Sequence, residues 1–153
     1  MFVLLKLNFK AYNFTIKEEE GNALIFDIIR KKYVRLTPEE WVRQHFIHYL
    51  HEDLHVPLGL ISVERSLNYN NRTKRFDICV ADNKGHMTLL IECKAPKVKL
   101  SRDTLMQAGV YQKVLNVRFI AISNGLQHVF MTLPPNAVAP VQLQSLPDFR
   151  DWS

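Results

Sequence analysis

Arg75 to Lys94 reads RFDICVADNKGHMTLLIECK: two apolar runs, with Asp77 set inside the first and Glu92-Cys93-Lys94 closing the second. Apolar runs of this length, bounded by polar turns, predict strands. Ionisable groups seldom sit within buried strands, because an unpaired buried charge costs several kcal/mol or more. Side chains alternate faces along a strand, so Glu92 and Lys94 project from one side. A short turn at Asn83-Lys84-Gly85 folds the two runs into a hairpin and brings Asp77 near Glu92. Two carboxylates and an ammonium at one spot point to a divalent-metal site facing an anionic substrate.

Composition sets the frame. The 153 residues fit one domain with one core, and 47% hydrophobic with 23% charged residues is ordinary for a globular protein. No apolar stretch approaches the ~20 residues needed to span a bilayer, so no membrane association is expected. The opening MFVLLKLNF is broken by Lys6 and lacks a small-residue cleavage site, unlike a signal peptide. Cys79 and Cys93 make no disulfide framework, and reduced thiols in a cytoplasmic protein are the expectation. From Arg72 to Arg102 eight basic residues face three acidic ones, a surplus of five that equals the net charge of the whole chain. The positive field therefore surrounds the acidic pair, as a phosphate-bearing partner requires.

Residues 11–36 predict an N-terminal β-hairpin: Tyr12–Lys17, an acidic turn over Glu18–Asn22, then Ala23–Phe26, with Arg30-Lys31-Lys32 as a solvated edge. Thr37-Pro38-Glu39-Glu40 is a helix start, with Thr37 as cap, Pro38 in the first turn and Glu40 completing a capping box. The helix is expected to reach about Asp53, with Val42, Phe46, Tyr49 and Leu50 as its apolar stripe. Glu39 falls on that stripe, whereas Glu40 points away. His48, His51 and His55 read as a solvent-facing cluster, since no carboxylate or cysteine completes a zinc set. Leu60–Leu67 predicts a strand containing Glu64. Ser101 caps a second helix reaching about Asn116, with Gln107, Val110, Tyr111, Val114 and Leu115 on its stripe. Phe119–Ser123 predicts a buried strand, Asn124-Gly125 a turn and His128–Leu133 a return strand. Four prolines from Pro134 onward predict an extended arm pinned by Leu146, Phe149 and Trp152. The organisation is a single domain over 1–153: an extension over 1–35, a core over 36–133 and an arm over 134–153.

The order helix, three strands, helix, strand, with Asp77 and Glu92-Cys93-Lys94 across the second and third strands, resembles the PD-(D/E)xK nuclease superfamily. Glu39 on the first helix and Gln107-Ala-Gly-Val-Tyr111 on the second, a Q-x-x-x-Y pattern, sharpen the likeness. LTPEEWVRQHFIHYL, the VERSL strand, RFDICV, LLIECKAP and the SNGLQH turn are similar to the N-terminal nuclease domain of type I restriction R subunits, over roughly residues 36–132. Phe76 stands where the superfamily name has proline. No G-x-x-x-x-G-K-[ST] occurs, so these residues hold no ATP-driven motor.

The resemblance implies an α/β fold of restriction-endonuclease type: an αβββαβ core with a mixed central sheet flanked by helices. It implies a Mg²⁺-dependent DNA nuclease, with Mn²⁺ as a substitute. Asp77, Glu92 and the Cys93 backbone carbonyl would be the metal ligands, with the Cys93 thiol on the opposite face. Lys94 would orient the attacking water or stabilise the oxyanion, Glu39 would hold a metal-bound water or a second ion, and Gln107 and Tyr111 would hold Lys94 or the scissile phosphate. Arg72, Lys74, Arg75, Lys97, Lys99 and Arg102 would hold flanking phosphates. The partners implied are DNA, a motor or specificity subunit on a separate chain, and a second copy in a homodimer. The alternative is a non-catalytic nucleic-acid-binding accessory module that retains the nuclease fold.

Overall fold

A computed structural model describes residues 4–152. A six-stranded mixed sheet organises the molecule, in the order β4 (Ile61–Tyr69), β5 (Arg72–Ala81), β6 (Met87–Cys93), β7 (Phe119–Ser123), β8 (His128–Thr132) and β9 (Val141–Leu143). Among the described residues only β6 and β7 are parallel, and helix α2 (Arg102–Leu115) makes the crossover that such a pair requires. Helix α1 (Pro38–His48) covers the opposite face. Beside it lies a small antiparallel sheet of β1 (Ile16–Glu19), β2 (Asn22–Asp27) and β3 (Lys32–Arg35).

The fully buried β7 shows why the core forms: every residue of FIAIS is buried. Its alternate side chains feed two cores. Phe119 and Ala121 pack with Ile78, Val80, Leu89 and Ile91 under α1, whereas Ile120 and Ile122 pack with Cys79 and Leu90 under α2. The turn after β7 needs its glycine. Gly125 has φ 86°, and a Cβ there would meet Cδ2 of Leu7 at 2.9 Å and Cγ2 of Val42 at 3.0 Å.

Several expectations are corrected. The N-terminal element has three strands, and its first turn is two residues long: Glu20 and Gly21 both take positive φ, the geometry that matches strand twist in a tight hairpin. Tyr12 and Phe14 are not in a strand; their rings pack on His45 and His48 of α1. Arg30 is no solvated edge, being drawn inward by Asp27 and Glu40. Helix α1 gives way at Tyr49 to a π turn over Tyr49–Asp53. The three histidines do not form one solvent-facing cluster: His48 is buried and bonds Glu52, His51 bonds the Val56 carbonyl, and His55 bonds Asp148. On α2 the buried positions are Ala108 and Gln112, while Val110 and Val114 are exposed. The C-terminal arm is pinned by buried Leu146, Phe149 and Trp152, and it also contributes the edge strand β9.

Candidate active site

The β5–β6 register pairs Ile78 with Ile91 and Cys79 with Leu90, so Asp77 comes opposite Glu92. The Cys93 amide closes this arrangement by donating to Oδ2 of Asp77 at 2.7 Å. Alternation along β5 slips at this point. Phe76 packs with Cys79 on the α2 side, whereas Ile78 and Val80 pack on the α1 side. Across the ladder, Glu64 of β4 drops out of the pairing and takes φ 55°, a backbone rarely adopted outside glycine. Asp77 thus lies between the two faces, where Arg43 of α1 reaches it: Nη2 donates to Oδ1 at 2.9 Å. Both oxygens of Asp77 accept protein hydrogen bonds.

Glu92 faces the other way, into a cleft of about 80 Å³ lined by Lys74, Glu92, Lys94, Gln107 and Tyr111. Its Oε1 is buried and receives no hydrogen bond, with Nζ of Lys74 standing 3.5 Å away. Burial above all, and the charge of Asp77 after it, push the Glu92 carboxyl above the usual carboxylate range, against the pull of Lys74 and Lys94. Lys94 is half-buried and follows β6 directly; its N–H donates to the Ser123 carbonyl at 2.7 Å, carrying the parallel ladder one residue further. Tyr111 packs edge-on against Phe76 and Tyr69. Gln107 is exposed at the cleft wall, its Nε2 3.5 Å from the Tyr111 hydroxyl.

Behind Asp77 runs a buried ionic network that the sequence did not disclose. Glu40, assigned to the capping box, keeps only half of it: its N–H takes the Thr37 hydroxyl as acceptor. Its carboxylate turns inward, where Oε1 accepts from Arg30 at 2.9 Å and Arg43 at 3.1 Å and Oε2 accepts from Gln44. Glu39 is the more exposed of the pair, at 49%, reversing the expected orientation. It nevertheless borders the site: burial, and then Asp77, raise its carboxyl, while Arg43 and Lys94 lower it. Arg30 ties in Asp27 at 2.7 Å, and Glu64 lies 3.6 Å from Arg30 and 3.5 Å from Arg43. Five carboxylates (Asp27, Glu39, Glu40, Glu64, Asp77) thus share the two guanidiniums of Arg30 and Arg43, and Glu92 lies beside Lys74. The one sequence-level clue was Arg43 itself, three and four residues beyond an acidic pair.

Of the six basic residues assigned to phosphates, Arg72, Arg75, Lys97, Lys99 and Arg102 are exposed. Lys74 is instead committed to Glu92 and lies over the rings of Phe76 and Tyr111. Both cysteines are free and buried; burial pushes the Cys79 thiol up to about 12 and the Cys93 thiol well above its ordinary value. Neither offers a thiolate. The Cys93 side chain belongs to the core under α1.

No curated protein matches the chain in sequence. Among solved structures, the chain is similar to one described as a fragment of the HsdR subunit of a type I restriction enzyme from Vibrio vulnificus YJ016, with TM-score 0.53 and 14% identity. The match covers 75% of this chain and 24% of that one, so the chain spans about a quarter of that structure. At that identity the likeness concerns the fold. A sequence model of the type I restriction enzyme R protein N terminus matches residues 38–147, the stretch that runs from the start of α1 through the acidic hairpin, α2 and the end of the sheet. By that match the chain belongs to the family of type I restriction enzyme R protein N termini.

Proposed function

We propose that this protein hydrolyses DNA phosphodiester bonds at the Asp77–Glu92–Lys94 site, with Mg²⁺ as its cofactor and Mn²⁺ as a substitute. The observation that carries the reading is Glu92, a half-buried carboxylate whose buried Oε1 receives no hydrogen bond, beside a second carboxylate. Mg²⁺ favours oxygen ligands and keeps several waters, so one or two carboxylates suffice. Among the described residues no group of three or more His, Cys, Asp or Glu forms a metal cage. With both thiols buried and protonated, the donor set fits a hard ion rather than a soft one.

Asp77 and Glu92 would hold the ion, together with the backbone carbonyl of Cys93. Bound there, the ion supplies an acidified water and positive charge against the phosphate. Lys94 positions the attacking water or bears part of the charge that develops on phosphate oxygen. A preorganised contact of this kind is worth about 10²–10³ in rate. Gln107 and Tyr111 hold the phosphate from the opposite wall, and Glu39 orders water at the mouth. Arg72, Arg75, Lys97, Lys99 and Arg102 take flanking phosphates, so affinity falls steeply with salt. DNA is the substrate on this reading, in a cytoplasmic restriction–modification setting, with a motor or specificity subunit supplied by a separate chain. No helix among the described residues is long and apolar enough to cross a membrane.

The test is plasmid cleavage by the purified protein in Mg²⁺ or Mn²⁺. Nicking by the wild type, and loss of at least about 10² in rate for Lys94→Ala, is expected. An inert wild type, or Asp77→Ala cutting as fast as wild type, contradicts the reading. One observation favours the alternative of a non-catalytic DNA-binding module: both oxygens of Asp77 are already satisfied by Arg43 and Cys93. DNA binding indifferent to metal and to Glu92→Ala would decide for it.

A further inference from the structure

We propose that Arg43 is the resident cation of the Asp77 site, and that a divalent ion gains Asp77 by displacing the Arg43 guanidinium. The proposal rests on the metal-dependent reading above and adds a positioning residue to it.

Three observations carry it. First, Arg43 is 7% exposed and its Nη2 takes Oδ1 of Asp77 at 2.9 Å, while Oδ2 is held by the Cys93 amide. An ion that takes Oδ1 therefore meets the guanidinium already there. A guanidinium and a divalent cation on the same carboxylate oxygen also repel each other at short range. Second, Arg43 is incompletely satisfied where it lies: its Nε is buried without a hydrogen-bond partner, which lowers the cost of leaving. Third, it has somewhere to go. Glu64 lies 3.5 Å from Nη1 and Glu39 lies 3.7 Å from Nη2, both beyond good hydrogen-bond distance, and a small rotation would close either gap. The Glu40 contact at 3.1 Å involves Nη1, so it can persist while the planar guanidinium swings Nη2 from Asp77 toward Glu39.

The arrangement gives Arg43 two tasks. Without metal it neutralises Asp77 and keeps the carboxylate in place. With metal it transfers to Glu39 and Glu64, whose exposed side of the network faces the mouth of the site. Glu39 then acts as the receiving carboxylate for Arg43, distinct from any role as a metal ligand.

The experiment is a Mn²⁺ titration read by the EPR signal of the free ion, on the full chain and its Arg43→Met and Arg43→Lys variants, with circular dichroism melts of each. Arg43→Met is expected to bind Mn²⁺ about tenfold more tightly than wild type, the factor that release of one charge-assisted hydrogen bond gives. Its melting temperature should also rise more on Mn²⁺ addition than that of the wild type. Arg43→Lys, a single-point donor that cannot bridge Glu40 and Asp77 together, should fall between them. A folded Arg43→Met with equal or weaker affinity overturns the proposal. If Arg43→Met does not fold, Arg43→Lys decides in the same way. Absence of Mn²⁺ binding in wild type and variants alike overturns both this proposal and the metal-dependent reading, whereas binding without the tightening overturns this proposal alone.

Discussion

The backbone N–H of Cys93 donates to Oδ2 of Asp77 at 2.7 Å, so the strand that presents Glu92 also fixes the orientation of the other carboxylate. The acidic pair is carried by the two hydrogen-bonded strands of the β5–β6 hairpin. Preorganisation of this kind is what electrostatic catalysis needs.

Asp77→Asn should separate charge from shape. The amide oxygen can still accept from Cys93 or Arg43, but the Arg43 guanidinium loses its counter-charge in a buried setting. A stability loss of about 1–3 kcal/mol in urea titration is expected, together with loss of Mn²⁺ binding. Unchanged Mn²⁺ affinity would remove Asp77 from the metal site.

Asp27 offers a pH signature away from the carboxylate pair. Burial raises its pKa, but hydrogen bonds from the Arg30 backbone, the Arg30 side chain and Gln44 outweigh it and hold the carboxyl below its ordinary value. A depressed folded pKa gives stability that is fully present above the unfolded carboxylate range, near 4, and is lost as pH falls through the folded value. Asp27→Asn should cost about 1–3 kcal/mol at pH 7, because half-buried Arg30 loses a charge-assisted partner while keeping Glu40. The gap from wild type should narrow below about pH 4. A gap that is flat with pH would show that Asp27 packs rather than pairs.

The basic rim predicts a salt signature. Replacing Lys97, Lys99 and Arg102 together with alanine should lower the slope of log K against log salt for duplex DNA by roughly 0.9 for each lost phosphate contact. Fluorescence anisotropy across a salt series measures it. An unchanged slope places the DNA elsewhere.

Gly125→Ala tests the turn that seats α1 on the sheet. Both the positive φ and the approach of Leu7 and Val42 oppose a Cβ. A loss of about 1–3 kcal/mol in chemical denaturation is expected. A neutral result would mean the turn can relax without moving α1.

The acidic hairpin, the buried strand Phe119–Ser123 with its turn, and the Thr37 cap were legible because each is written in local pattern: alternating or continuous apolar runs, a turn signal, a capping residue; the mixed sheet came from the family resemblance. The network behind the site was not legible. Arg43 meets Asp77 across 34 residues and Arg30 meets Glu40 across ten, and no periodicity relates such positions. Glu39 and Glu40 exchanged places because a helical wheel fixes relative angles but not which side of the first turn meets the sheet. On α2 the same ambiguity put Gln107 on the buried stripe, whereas it is Gln112 that is buried, donating to the Arg118 and Met131 carbonyls. With two-sided apolar character, since Met106, Val110 and Val114 are exposed, the helix offered no single stripe to read. Strand β9 is three residues long and sits among prolines, too short to register as a pattern.

The most direct measurement is anomalous diffraction from a crystal of this protein soaked in Mn²⁺. The account predicts one strong peak between the Asp77 and Glu92 carboxylates, with the Arg43 guanidinium turned toward Glu39 or Glu64. A fully soaked crystal with no peak there, and Arg43 still bonded to Asp77, would contradict it.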